Sequence, residues 1–282
     1  MIVTLKDVLK DAKKNKYAVG LFNTVNLEMA KGVIAAAEQT KSPVIIGTAE
    51  VLLPYSSLKE LAYFLVPMAK KATVPVVLHL DHGLTAEKVI EALTLGFSSV
   101  MYDCSTCTYE DNIAKVKEMS KIAKIFGASI EAELGHVGAN EIAAESHGDN
   151  DNSIYTQPRQ AKEFVDLTNV DALAVAIGTA HGAYKSKPKL DIERLKEISN
   201  IVNVPLVLHG GSGLSNEDFE NCIKNGISKV NIFTDINCAA AKAAVNSYKE
   251  GNGMTDLMES IVDSIKEVTI TKMKMFGSVN RA

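Results

Sequence analysis

Three histidines at the ends of apolar runs are each followed by glycine, at His82-Gly83, His181-Gly182 and His209-Gly210. They are half of the six histidines in 282 residues. Each follows a short apolar run, of which Val76-Val77-Leu78-His79-Leu80 is the clearest. Neutral imidazoles delivered from three strands suit a catalytic zinc ion, which keeps one position open for water or substrate. Glycine after such a ligand lets backbone or substrate come close. A lone histidine at a strand end is more often a hydrogen-bonded structural residue, but three with the same neighbour weaken that reading. Asp103 and Glu133 fall at two further strand ends, where they add oxygen ligands or acceptors that orient the imidazoles. His79 lies inside a strand and reads as structural. His136 is near Glu133 without a role, and His147 reads as a solvated loop residue.

A second chemical signal is His209-Gly210-Gly211-Ser212-Gly213, placed between a strand and a helix. Such a loop offers free backbone N–H groups to an anion, and the last two strand-to-helix loops of a barrel often hold phosphate. A glycine-rich turn alone is weak, but its place beside a candidate metal histidine strengthens it. Asn231, Ile232, Phe233 and Thr234 would complete that pocket. Lys185 could add charge, although a solvated surface lysine is the commoner outcome. Cys104 and Cys107 make a C-x-x-C with no second pair, and read as ordinary thiols.

The elements that must carry these residues alternate through the chain. Apolar periodicity predicts strands over Tyr17–Asn23, Pro43–Thr48, Pro75–Leu80, Ser98–Tyr102, Ala128–Leu134, Ala172–Ile177, Val204–Leu208 and Lys229–Phe233. Helices are predicted between them, with Thr4, Asn26 and Thr85 as N-caps, and a last one near Thr255–Phe276. The stretch Gly138–Ser153 breaks the rhythm as a polar loop of the functional-lid kind. Eight strand–helix units in roughly 250 residues match a (β/α)8 TIM barrel with an N-terminal helix and an extra C-terminal helix. An open doubly wound sheet ranks second, because no G-x-G-x-x-G follows the first strand. In a barrel the strand ends converge, bringing Asn23, Asp81, His82, Asp103, Glu133, His181, His209 and Asn231 to one face.

The bulk numbers fit one domain over residues 1–282. Apolar residues make up 46% of the chain and the net charge is −4. Dispersed basic residues argue against nucleic acid as a partner. No run is long enough to span a membrane, and the first residues lack a signal-peptide apolar region. Four cysteines make no disulfide framework, so the expected compartment is the cytoplasm.

Leu78-His79-Leu80-Asp81-His82-Gly83, Ile130-Glu131-Ala132-Glu133-Leu134-Gly135, Ala176-Ile177-Gly178-Thr179-Ala180-His181-Gly182, Leu208-His209-Gly210-Gly211-Ser212-Gly213 and Lys229-Val230-Asn231 together resemble one family. The chain resembles the class II, zinc-dependent ketose-bisphosphate aldolases of the fructose- and tagatose-bisphosphate group, nearly end to end. That resemblance implies His82, His181 and His209 as zinc ligands, and Asp103 and Glu133 as a second divalent metal site or an alternative zinc position. It leaves room for a monovalent cation. It implies Asp81 as the acid/base at the aldehyde-derived oxygen, and Glu141 as the carboxylate that moves the proton at the ketone's α-carbon. Gly182, Gly210, Gly211, Ser212 and Asn231 to Thr234 match a dihydroxyacetone-phosphate pocket. The partner is then a small sugar phosphate, and the assembly a homodimer or homotetramer.

Two departures stand out. The loop reads Gly138-Ala139-Asn140-Glu141-Ile142 where the family often has Gly-Gly-x-Glu-Asp. Phe233 and Asp235 stand where many members have a smaller residue and Glu. No clear residue serves a second phosphate, so a ketose phosphorylated only at C1 is the alternative substrate. Outside the class, a Schiff-base aldolase would need a buried strand-end lysine, and the sequence offers no good candidate. A zinc hydrolase would not need the Gly210–Gly213 loop, and a non-catalytic binder would not need Asp81 and Glu141.

Overall fold

A computed structural model describes residues 1–138, 154–182, 184 and 188–282. Eight parallel strands close in sequence order into a barrel. They are β1 Val19–Asn23, β2 Val44–Ala49, β3 Val76–Gly83, β4 Ser99–Tyr102, β5 Ser129–Leu134, β6 Ala172–Val175, β7 Leu206–Leu208 and β8 Ile227–Ile232. Closure, with β1 paired to β8 through Leu21 and Asn231, excludes the open sheet.

Helices α2 Leu27–Thr40, α3 Leu58–Lys71, α4 Ala86–Thr94, α5 Tyr109–Ile125, α6 Pro158–Thr168, α7 Ile192–Ile201, α8 Asn216–Lys224 and α9 Thr234–Ser247 follow the eight strands in turn. Six of these eight starts are fixed by side chains that accept orphan N–H groups. Asn26 accepts from Met29 N and Thr85 from Lys88 N. A last helix, α10 Thr255–Met275, lies along α2 and α9, with Ile265 against Gly32.

The two ends of the barrel do different work. Helix α1, Leu5–Asn15, is capped by a Thr4–Asp7 box and seals the amino-terminal end. Its Leu5, Val8, Leu9 and Ala12 pack onto Val19, Leu21, Ile45, Val77, Ala172, Ala174 and Val207. Each fully buried leucine there contributes roughly 1.5–3 kcal/mol, so this end supplies stability. Further toward the carboxyl ends of β1, β3, β5 and β8 the inward side chains are polar: Asn23, His79, Asp81, Glu131, Glu133, Lys229 and Asn231, all buried. Strand alternation explains the set, since Val77, His79 and Asp81 share one face of β3. Gly47 on β2 is required by this packing, because a Cβ there would lie 1.8 Å from the His79 carbonyl oxygen.

The structure moves some boundaries. β3 runs on through Asp81, His82 and Gly83, so these residues belong to the strand and do not follow it. β6 stops at Val175, which leaves His181 in the loop beyond. Among the described residues no helix is long and apolar enough to cross a membrane.

Candidate metal centre and active site

Alternation along β3 would send Asp81 inward and His82 outward. A β-bulge reverses the second of these. Leu80 pairs with Val100 and Gly83 with Tyr102, so β3 fits one extra residue against β4. His82 takes it up with φ of 41°, in the left-handed region. That conformation costs a non-glycine residue roughly 1–3 kcal/mol, and it turns the imidazole back over the barrel mouth. His82 Nε2 there lies 2.7 Å from Nδ1 of His209, which follows β7. The His181 ring stands edge-on to His82, with centroids 4.9 Å apart. One nitrogen from each of the three rings lies within 4.8 Å of the others.

The remaining ring nitrogens of His82 and His209 are already engaged. His82 Nδ1 bonds Asp103 Oδ2 at 2.7 Å, and His209 Nε2 bonds Glu131 Oε1 at 2.9 Å. Each of these imidazoles is thus oriented by a carboxylate, and its other nitrogen points into the cluster, as metal-binding histidines are arranged. Two such nitrogens facing each other make a place for a shared proton or a cation. Glu133 supports the cation. Its Oε1 accepts from Val137 N at 2.9 Å. Its Oε2 is buried without a hydrogen bond and lies 3.4 Å from His209 Nδ1. The residues present therefore fit a divalent ion with nitrogen and oxygen donors. Asp103 sits behind His82, while His82, Asp103 and Glu133 form a second group able to hold an ion.

The electrostatics favour the neutral donor form at two of the three imidazoles. Burial and the neighbouring His82 push His181 down to about 3. His209 is lowered for the same two reasons, so both rings stay neutral. For His82 burial opposes charge, yet Asp81 and the bond to Asp103 push it up to about 9. Burial, then the Asp103 charge, push Glu133 up to about 8.

Asp81 faces the same space from within the barrel. Asn23 Nδ2 donates to its Oδ2 at 2.7 Å, and Asn231 Nδ2 to its Oδ1 at 2.8 Å. Burial opposes ionisation, but the charged His82 and the Lys229 ammonium hold Asp81 below the usual carboxylate range. It is a fixed carboxylate beside the histidines. The Oδ1 atoms of Asn23 and Asn231 are buried without hydrogen bonds, leaving acceptors for a ligand.

A polar layer beneath the histidines is absent from the sequence reading. Lys229 Nζ lies 2.8 Å from Glu131 Oε2, both side chains fully buried. His79 Nδ1 bonds Ser99 Oγ at 2.8 Å, and burial and Lys229 push this ring down to about 3. His79, Asp81 and Glu131 also form a potential ion-binding group, but the Lys229 ammonium already supplies the positive charge there.

The glycine loop after β7 packs on the amino-terminus of α9. Ser212 Oγ accepts from Phe233 N at 3.3 Å, and Gly211 N donates to Asn231 O at 3.3 Å. Gly210 has φ of 65°, and a Cβ there would lie 2.4 Å from Ala180 O, so only glycine brings this loop against the His181 loop. Tyr184 fastens the two, donating to Gly210 O at 2.8 Å and accepting from Ala180 N at 3.0 Å. Loop N–H groups beside a helix start favour an anion. A groove of about 940 Å³ reaches Ser212 and Thr234 from the α9–α10 side but is lined by none of the three histidines. Gly182 directly follows His181, with φ of 95°. Ile232 is buried in the core, and Phe233 packs partly against it. Glu141 and Lys185 lie outside the described residues.

Comparison with known proteins points to one family. The family model described as fructose-bisphosphate aldolase class-II matches residues 3–281. The fructose-bisphosphate aldolase of Staphylococcus aureus (strain Mu50) is 39% identical over 290 residues, covering 100% of this chain and 99% of that one. Escherichia coli (strain K12) protein YdjI is 41% identical over 282 residues, covering 100% of both. A crystal structure described as the YdjI aldolase from Escherichia coli K12 superposes with a TM-score of 0.90 at 39% identity, again covering 100% of both chains. The chain belongs to the class-II fructose-bisphosphate aldolase family, carbon–carbon lyases that act on small sugar phosphates and are generally metal-dependent.

Proposed function

We propose that this enzyme carries out reversible, zinc-dependent aldol cleavage of a ketose phosphate of the fructose- or tagatose-1,6-bisphosphate type, releasing dihydroxyacetone phosphate and an aldehyde. The observation that carries this is the convergence of three imidazole nitrogens beside a buried carboxylate, Asp81, held by two amides. His82 Nε2, His209 Nδ1 and His181 would hold the ion. Zinc bound there supplies Lewis-acid polarisation of the substrate carbonyl. Asp81 takes the proton of the substrate hydroxyl as the carbon–carbon bond breaks, and returns it in condensation. The bond's electrons pass to the dihydroxyacetone-phosphate half, whose carbon Glu141 then protonates. The N–H groups of the Gly210–Ser212 loop and the Asn231–Thr234 segment hold the phosphate on that half beside Gly182, and Lys185 is assigned to add charge to it.

We further assign Asp103 and Glu133 to a second divalent position. A monovalent cation, a homodimeric or homotetrameric assembly and a glycolytic, cytoplasmic setting complete the reading.

A ketose phosphorylated only at C1 is favoured by one observation. Lys229 is paired with Glu131 and Lys272 with Asp235 at 2.6 Å, so neither is offered to a distal phosphate. The test is cleavage of fructose 1,6-bisphosphate, tagatose 1,6-bisphosphate and fructose 1-phosphate by the purified enzyme. On the bisphosphate reading kcat/KM is at least about 10-fold higher for a bisphosphate, since a charged contact to the distal phosphate from outside those two pairs would contribute roughly 1.5–3 kcal/mol. Equal values would show that the distal phosphate is not recognised, and a higher value for fructose 1-phosphate would favour the single-phosphate substrate.

A further inference from the structure

We propose that Glu131 and Lys229 are positioning residues for the aldol reaction, holding His209 in the tautomer that presents Nδ1 to the metal; this rests on the metal-centre reading above.

The three histidines do not offer equivalent atoms. Asp103 occupies Nδ1 of His82 and leaves Nε2 facing the cluster. For His209 the arrangement is inverted. Glu131 Oε1 occupies Nε2 at 2.9 Å, and Nδ1 faces the cluster. An imidazole left free to choose could carry its proton on either nitrogen, and a proton on Nδ1 would point at the ion. The tautomer is therefore decided by what Glu131 is. A carboxylate only accepts, so Nε2 must carry the hydrogen.

Lys229 keeps it so. Its ammonium contacts both Glu131 oxygens, at 3.1 Å and 2.8 Å, and has only donors to offer. It also fixes the carboxylate in place, since a bonded pair in the closed barrel cannot swing away. Both side chains are fully buried, too deep to touch a substrate lying over the histidines. A buried ion pair is weak as a source of stability, and apolar or neutral replacements are often tolerated. Orientation of a metal-binding imidazole accounts for its presence here in a way that stability does not.

The experiment compares the wild type with E131M/K229M, a neutral replacement that removes the acceptor on His209 Nε2 and its ammonium partner together. Zinc affinity is measured by competition with a chromophoric chelator, and the visible spectrum is recorded after cobalt(II) substitution. Melting of the metal-free proteins reports folding separately. The expected result is a folded double variant with zinc affinity roughly 10–100-fold lower and a shifted cobalt spectrum. Unchanged affinity and spectrum in the folded variant would overturn the proposal. A wild type that binds no zinc would overturn the metal centre itself. Should the double variant not fold, nitrogen-15 imidazole shifts of the zinc-loaded wild type decide. A hydrogen on Nε2 of His209 supports the proposal, and a bare Nε2 contradicts it.

Discussion

A His209→Ala variant is expected to lose metal and aldol cleavage together, with kcat/KM falling on the order of 10³-fold or more, because the Lewis-acid contribution of a bound ion is several kcal/mol. His209 is the centre of the arrangement. It faces His82 at 2.7 Å through one nitrogen and Glu131 through the other. Its Nδ1 also lies beside the unpartnered oxygen of Glu133. Removing the ring therefore takes away one donor and loosens the other groups around the ion. The barrel should survive, since Glu131 keeps Lys229 as its partner and the α1 seal lies at the opposite end. Elemental analysis of zinc in the purified variant, alongside dihydroxyacetone-phosphate release, checks both halves. Full turnover in a zinc-free variant would show that the histidine cluster is not the catalytic centre.

Asp81→Asn separates the proton from the metal. The variant is expected to retain zinc and to lose roughly 10²–10⁴-fold in kcat, the usual contribution of a positioned acid/base. KM should change little. The substitution is a fair test because the site can accommodate it. Two amide N–H donors, from Asn23 and Asn231, now bond the two carboxylate oxygens. The replacement amide offers one oxygen and one NH₂, so one neighbouring amide must turn over. The Oδ1 atoms of Asn23 and Asn231 make no other hydrogen bond, and either can turn to accept from the new NH₂. The fold therefore stays while the group that accepts a proton is gone. Undiminished kcat with zinc bound would remove Asp81 from the chemistry.

Much of this architecture was legible in the residues. The eight apolar runs predict strands because each is short, β-branched and bounded by turn residues, and the caps at Thr4, Asn26 and Thr85 form as their side-chain chemistry predicts. Period-two reasoning fails at one place that matters. Asp81 and His82 are consecutive, so alternation puts them on opposite faces, and only the bulge with its left-handed His82 brings both over the barrel mouth. Nothing local in the sequence announces that bulge. The buried layer was legible in principle. In Ile130-Glu131-Ala132-Glu133 and Lys229-Val230-Asn231 the polar residues alternate with apolar ones, so Glu131 and Lys229 must share the inward face of Glu133 and Asn231. Their pairing required knowing that β5 and β8 face each other across a closed barrel. The amide clamp on Asp81 was hidden for a similar reason, since its members lie 58 and 150 residues away in sequence.

The most direct test of the metal-dependent reading is retro-aldol cleavage by the wild-type enzyme after chelation and after zinc is returned. Dihydroxyacetone phosphate released from a ketose phosphate is followed in each state. Cleavage is expected to fall to background in the chelated enzyme and to be restored by zinc. Cleavage indifferent to the chelator would contradict that reading and point to covalent lysine chemistry. No cleavage of any ketose phosphate, with zinc shown bound, would instead favour a hydrolase or a sugar-phosphate binder on the same barrel.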